Sequence, residues 1–148
     1  MRGSFVNALF HDEPAGTFVD GLIFLAAPDL AEPERDHPDS GYWHCDIANQ
    51  NRLTWSDKVY ELFGLPAGTP VDRDWAVAHY SEHSKIALER VRRYALSRDY
   101  GFILDVEIEP EGSGKRWIRV LATQVSKDGR VVGLQGLKRA LSPPTQGR

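Results

Sequence analysis

The chain has 148 residues, a formal net charge of −3 at neutral pH and a single cysteine. This length suits one domain with one core, and the slight negative charge gives no reason to expect nucleic-acid binding. A lone cysteine excludes an internal disulfide, which fits a reducing compartment. The longest apolar run, residues 22–27, is too short to span a membrane, and no signal peptide is evident. We therefore expect a cytoplasmic protein.

The first 40 residues differ in composition from the rest of the chain, with several prolines and an acidic run over residues 29–39. Residues 18–27 are dense in apolar side chains, but so short a run fits a helix or a strand equally well. Residues 28–40 are typical of a linker. We predict an N-terminal extension over residues 1–40, a folded domain over 41–142 and a flexible tail over 143–148.

Strand signals open the predicted domain. Residues 42–47 and 52–55 are expected to form two strands on either side of an Asn-rich turn. Ser56 is suited to cap the N-terminus of a short helix, since its hydroxyl can accept a hydrogen bond from the first turn. Gly64 is placed to end that helix in the left-handed conformation that glycine adopts without strain.

Helical signals follow. A short helical piece is expected over residues 72–79, and the longest helix begins at Ser81 or Ser84 and runs to about Arg98. Its apolar face is formed by Ala87, Leu88, Val91 and Ala95 at helical spacing. Its basic residues are expected to form a solvated face: Lys85, Arg90, Arg92, Arg93 and Arg98.

The last third of the chain predicts three antiparallel strands, over residues 102–109, 116–126 and 131–137, with Asp128-Gly129 as the hairpin turn. The last two strands carry apolar residues on both faces, which a sheet with one face in water would not show. We expect the N-terminal extension, or a second copy of the protein, to cover the outer face. The residues predicted at this interface are Phe18, Leu22, Phe24, Trp117, Leu121 and Val125.

Several short motifs occur in an order that is typical of one family. They are Gly41-x-Trp43-x-x-Asp46, Trp55-Ser56, Leu62-Phe63-Gly64-Leu65-Pro66, Arg116-Trp117 and Asp128-Gly129-Arg130. Together they resemble the PAS domains found in bacterial sensor histidine kinases and diguanylate cyclases. The resemblance covers about residues 41–142. It implies an α+β fold, in which a five-stranded antiparallel sheet carries short helices and one long helix on one face, and a non-catalytic sensory and signalling role.

The chain departs from this family at two places. Tyr80 stands where the family usually has proline, and Ala140-Leu141-Ser142 stands in place of a closing Asp-Ile-Thr. In the family that aspartate helps couple the sheet to an output helix. We therefore expect output through the sheet face and the N-terminal extension, by dimerisation or by contact with a signalling protein such as a kinase or cyclase.

The aromatic residues indicate where a small molecule would bind. Tryptophans are expected either to fill the core or to wall a pocket between helices and sheet, with a few polar groups beside them. The candidate pocket residues are Trp43, Trp55, Trp75, His79, Val91, Tyr94 and Gln135.

Reactive side chains do not form a recognisable catalytic or metal site. His44 and Asp46 would share one face of a strand while Cys45 points to the other, so the three cannot act together. His79 and His83 lack the further ligands that a metal needs. The chain has no flavin-adduct cysteine motif of the light-sensing relatives, and His83 is poorly placed for haem. We expect neither cofactor nor metal; a haem or flavin sensor, or a small enzyme on a similar scaffold, are the alternatives.

Overall fold

The computed structural model describes residues 23–26, 37–98, 100–110 and 112–141. The elements are, in chain order, β1 (Ile23–Ala26), β2 (Gly41–Asp46), a 3-10 turn (Ile47–Asn49), β3 (Arg52–Trp55), α1 (Asp57–Leu62), α2 (Arg73–Ala78), α3 (Glu82–Arg98), β4 (Tyr100–Ile108), β5 (Arg116–Lys127) and β6 (Arg130–Ala140). The strands form one sheet in the order β1-β4-β5-β6-β2-β3, and every neighbouring pair is antiparallel.

The five-stranded antiparallel sheet predicted from the sequence is confirmed, and the N-terminal extension adds a sixth strand to it. This strand, β1, pairs with the first half of β4, so that Ile23 lies opposite Ile103 and Ala26 opposite Tyr100. The extension therefore contributes to the sheet itself and is more than a linker. Phe18 and Leu22, two predicted interface residues, and the tail over residues 143–148 lie outside the described residues.

Side-chain hydrogen bonds explain how the helices begin. Ser56 precedes α1 as predicted, but its hydroxyl accepts the backbone N–H of Tyr42 at 2.8 Å and not an amide of the helix. Asp72 does cap α2, since its carboxylate accepts the backbone N–H of Trp75 at 2.8 Å. Ser84 lies inside α3 and is fully buried, and its hydroxyl accepts the Glu107 N–H at 2.8 Å, which docks α3 onto β4.

The core lies between the sheet and the helices. Alternate residues of β4 and β5 point towards the helices and are at most 2% exposed: Phe102, Leu104, Val106, Ile108, Ile118, Val120 and Ala122. The predicted apolar face of α3, including Val91 and Ala95, packs onto this layer. Within the described residues, no helix combines the length and the hydropathy needed to cross a bilayer.

Gly136 on β6 is a close-contact position in this core. A Cβ added there would lie 1.7 Å from the carbonyl oxygen of Leu121, which accepts the indole N–H of Trp43 at 3.2 Å. The backbone cannot move away without breaking the β5–β6 pairing, in which Gly136 lies opposite Ala122.

We therefore expect Gly136→Ala to lower the free energy of unfolding by about 2–4 kcal/mol. Gly114→Ala is the matched control, because a Cβ at Gly114 meets nothing within 4 Å; its cost should stay within about 0.5 kcal/mol. Urea unfolding monitored by tryptophan fluorescence measures both. Equal stability of the two variants would contradict the packing described for Gly136.

Candidate functional site

A small cavity of about 60 Å³ lies between the sheet and the helices. Most of its wall is apolar, and its polar groups converge from elements far apart in sequence. The lining residues are Trp43 and Cys45 of β2, Leu53 of β3, Arg73, Ala76 and Val77 of α2, Tyr80 between α2 and α3, Leu88 and Arg92 of α3, Phe102 of β4, Val120 of β5, and Leu134 and Lys138 of β6. Apolar walls with a few placed polar groups are typical of a ligand pocket.

Lys138 is an unusual residue to find in such a wall, because lysine is rarely buried without a partner. Its side chain is only 7% exposed, and its ammonium donates a hydrogen bond to the hydroxyl of Tyr80 at 3.2 Å. Four aromatic rings surround the ammonium nitrogen, with ring centres at 5.2 Å for Trp43, 5.6 Å for Trp55, 5.4 Å for Phe63 and 5.8 Å for Tyr80. These distances are within the range of cation–π attraction.

The side chains of Arg92 and Cys45, which both line the cavity, donate to the same amide oxygen, that of Asn51. The Arg92 guanidinium donates to Oδ1 of Asn51 at 3.2 Å, and the Cys45 thiol donates to the same oxygen at 3.5 Å. Burial raises the pKa of the Cys45 thiol, although the nearby Arg92 and Arg73 charges oppose this. Burial and then the Arg73 charge lower the pKa of Arg92. At neutral pH the site therefore holds a neutral thiol beside a cationic guanidinium.

The lining carries an excess of positive charge. Arg73 forms an ion pair with Glu89, whose charge also acts on Arg92, while the hydrogen bonds and ring contacts of Arg92 and Lys138 are with an amide, a thiol, a hydroxyl and aromatic rings. None of the described residues that line the cavity is a carboxylate or a histidine. The site can therefore attract an anion.

No family model and no curated protein matches the sequence. Solved structures do match its fold. The N-terminal domain of a diguanylate cyclase with PAS/PAC sensor from Marinobacter aquaeolei has a TM-score of 0.62 at 14% identity, over 68% of this chain and 94% of that chain. The chain has a PAS fold. A PAS domain from Colwellia psychrerythraea agrees with a TM-score of 0.59 at 12% identity, over 74% of this chain and 92% of that chain.

A light-oxygen-voltage domain studied with a flavin analogue also matches, with a TM-score of 0.59 at 17% identity, over 70% of this chain and 78% of that chain. Identities this low show the PAS fold and carry no information on ligands. The volume of the cavity bears on cofactors, because pockets for drug-sized ligands measure about 300–1,000 Å³. At about 60 Å³ the cavity of this PAS fold does not fit haem or flavin unless its walls move.

Three of the predicted pocket residues lie in or beside the cavity. Trp43 lines it, and its indole N–H donates to the carbonyl oxygens of Leu121 and Leu137, each at 3.2 Å. Trp55 is buried next to the cavity, stacked on Phe63 at 4.8 Å between ring centres, and its indole nitrogen has no acceptor among the described residues. Val91 belongs to the surrounding core.

The other predicted pocket residues lie elsewhere. The ring of Trp75 packs against that of His79 in a tilted arrangement, with 3.9 Å between ring centres, near the C-terminal end of α2. Tyr94 packs beneath the guanidinium of Arg98 on the outer side of α3. Gln135 lies on the outer face of the sheet, where it accepts the Tyr42 hydroxyl at 2.8 Å. Its assignment to the pocket was wrong because the inward-facing positions of β6 are Leu134, Gly136 and Lys138.

The prediction of a solvated basic face was also wrong for Arg92, which lines the cavity while Arg93 is exposed. Arg92 follows the buried Leu88 by one turn of α3, so it lies at the flank of the apolar face. That spacing could have placed it, and strand alternation from Trp43 could have placed Cys45 at the pocket. Nothing in the local sequence singles out Lys138.

The two histidines do not share a helix. His79 follows the last residue of α2, whereas His83 lies in the first turn of α3, 6.1 Å from the ring centre of Trp117. Among the described residues, no three His, Cys, Asp or Glu side chains are grouped closely enough to hold a metal ion.

The environment of Cys45 predicts a thiol that ionises at high pH. Cysteine labelled with carbon-13 gives one protein signal, because Cys45 is the sole cysteine. We expect its NMR titration midpoint above the usual thiol range, since burial raises its pKa. Arg92→Met should move the midpoint higher still, because the Arg92 charge lowers this pKa, whereas Arg93→Met should leave it unchanged. A wild-type midpoint within or below the usual range would contradict the described burial.

Proposed function

We propose that the protein is a non-catalytic sensory and signalling module that works by binding. Its working surface is the outer face of the sheet together with the N-terminal extension, which serve self-association or contact with a signalling partner such as a kinase or cyclase. The PAS fold supports this role, since the matching structures include the sensor part of a diguanylate cyclase. The observation that carries the proposal is the apolar character of the sheet face opposite the helices.

That outer face is apolar at its centre. Ile103 of β4 and Leu121 of β5 lie opposite each other and are 7% and 1% exposed, although neither belongs to the core on the helix side. Side chains at the centre of an open sheet face would be far more accessible. Their burial supports a cover that the chain itself supplies.

The strand order supports the N-terminal extension as this cover. β1 and β2 run in the same direction, but three strands lie between them, in the order β4, β5 and β6. β1 and β2 therefore lie four strand spacings apart in the sheet, or about 19 Å. The proposed cover is the part of the extension that joins these two strands.

The accessible part of the proposed surface surrounds this covered centre. Tyr42 of β2 lies on the outer face and is 44% exposed, one of two exposed large hydrophobic side chains among the residues that the structure describes. Trp117 and Val125, both predicted interface residues, are half-buried. Leu121, also predicted there, is buried within the chain and would reach a partner only if the cover moved.

Light scattering on the full-length protein and on a chain starting at Ser40 tests this proposal. The full-length protein should self-associate. The shortened chain lacks β1 and residues 27–39, so it should either lose self-association or aggregate through the uncovered face, with circular dichroism reporting whether it still folds. A monomeric full-length protein together with a stable, monomeric shortened chain would refute the proposed surface.

Single substitutions sharpen the same test. Tyr42→Ser removes an exposed aromatic side chain from the outer face and should weaken self-association by about tenfold. Ile86→Ser is the matched control, because Ile86 is 38% exposed on α3, away from the sheet. Equal dissociation constants for the two variants would place the contact elsewhere.

The cavity favours a second function, the sensing of a small ligand. Its polar lining is cationic and converges from four elements, and Tyr80 lies where the family usually has proline. A ligand held there would contact the sheet and the helices at once, which is what a signal from the interior to the sheet surface requires.

A further inference from the structure

We infer that the cavity binds a small organic monocarboxylate, held between Lys138 and Arg92. This inference rests on the proposed ligand-sensing function and names the chemical class of its ligand. It does not depend on self-association through the sheet. Its basis is a pair of buried or half-buried cations that line one cavity and form no salt bridge with a carboxylate among the described residues; Glu89, the carboxylate whose charge acts on Arg92, is paired with Arg73.

The ammonium group of Lys138 has N–H donors that no described residue accepts. An ammonium group has three N–H donors, and among the described residues only the Tyr80 hydroxyl accepts one of them. The four surrounding rings attract the positive charge, but their centres are 5.2–5.8 Å away and they take up no conventional hydrogen bond. A buried cation with unused donors is costly unless an anion completes its contacts.

Arg92 supplies the second half of the site. Its guanidinium contacts the amide of Asn51 and the thiol of Cys45, both neutral groups, whereas the neighbouring Arg73 is paired with Glu89. A guanidinium presents planar, paired donors that match the two oxygens of a carboxylate. One carboxylate would therefore pair with the cation of α3 and the cation of β6 at once.

The remaining wall sets the size of the ligand. A water-sized sphere needs about 10–15 Å³, so a cavity of about 60 Å³ takes roughly four to six non-hydrogen atoms. Leu88, Phe102 and Leu134 offer an apolar surface for a short alkyl tail. Two- and three-carbon monocarboxylates such as acetate and propionate fit this description. Larger dicarboxylates and nucleotides do not.

Titration of the full-length protein with carboxyl-labelled propionate, followed by NMR, tests the inference. We expect saturable binding that shifts the resonances of Trp43, Tyr80 and Cys45. Propionamide has the same shape without the charge and should bind about tenfold more weakly or not at all. Nitrate and phosphate carry charge without the alkyl tail and should also bind more weakly than propionate.

Variants locate the site. Arg92→Met should weaken propionate binding about tenfold or more, and the matched control Arg93→Met should leave it unchanged, because Arg93 is exposed one position further along the same helix. Lys138→Met should weaken binding to a similar degree. Because substitution of a buried residue can alter folding, an unfolding curve is recorded for each variant. The comparison of propionate with propionamide uses the unaltered protein and does not depend on any variant.

Each other outcome overturns a defined part of the account. Equal binding of propionamide and propionate would keep ligand sensing but overturn the assignment of an anion. Nitrate or phosphate binding as tightly as propionate would overturn the assignment of a carboxylate. The inferred site would be overturned if Arg92→Met left propionate binding unchanged, or if propionate showed no saturable binding. Light scattering would still decide independently whether the sheet face mediates association.

Discussion

The ammonium group of Lys138 lies inside the protein, and the surrounding elements are arranged to keep it there. β2 supplies Trp43, β3 supplies Trp55, α1 is followed directly by Phe63, and the segment between α2 and α3 supplies Tyr80. Each ring is worth about 0.5–2 kcal/mol of attraction to a desolvated cation, which offsets part of the cost of removing the charge from water. Displacing any one of these elements would remove an aromatic ring from the Lys138 ammonium group and so weaken the stabilisation of its charge.

This arrangement links the interior to the sheet surface. Lys138 of β6 lies opposite Val120 of β5, and the next residue of β5, Leu121, points to the other face. The carbonyl of Leu121 accepts the indole N–H of Trp43, one of the rings around Lys138. An anion that draws Lys138 towards Arg92 would therefore act on residues one strand position away from the proposed contact surface. The proposed ligand site and the proposed contact surface on the outer sheet face are therefore connected through adjacent residues of β5 and β6.

The regular parts of the fold were predictable from the sequence because local rules govern them. Alternation from Phe102 to Ile108 identifies β4, and Asp128-Gly129 identifies the β5–β6 turn, where both residues have positive φ. β1 was not predictable as a strand, because four apolar residues fit either element and the pairing partner lies far along the chain.

The candidate site was predicted less well than the fold. Trp43 followed from its size and position, but Lys138 did not, because lysine is normally exposed and its burial depends on rings that converge from four separate segments. The assignment of Gln135 to the pocket was wrong by one residue, since a shift of one position moves a side chain to the opposite face of the sheet. Charge at a buried position is a property of the assembled fold, and no single segment encodes it.

The central claim is that Lys138 lies within an aromatic cage at the cavity. NMR of the lysine ε-methylene protons tests it directly, because ring currents from nearby aromatic faces displace such signals strongly. The account predicts that Lys138 has displaced ε-methylene resonances and nuclear Overhauser contacts to Trp43, Trp55 and Tyr80. Resonances at the ordinary position of an exposed lysine, without these contacts, would contradict it.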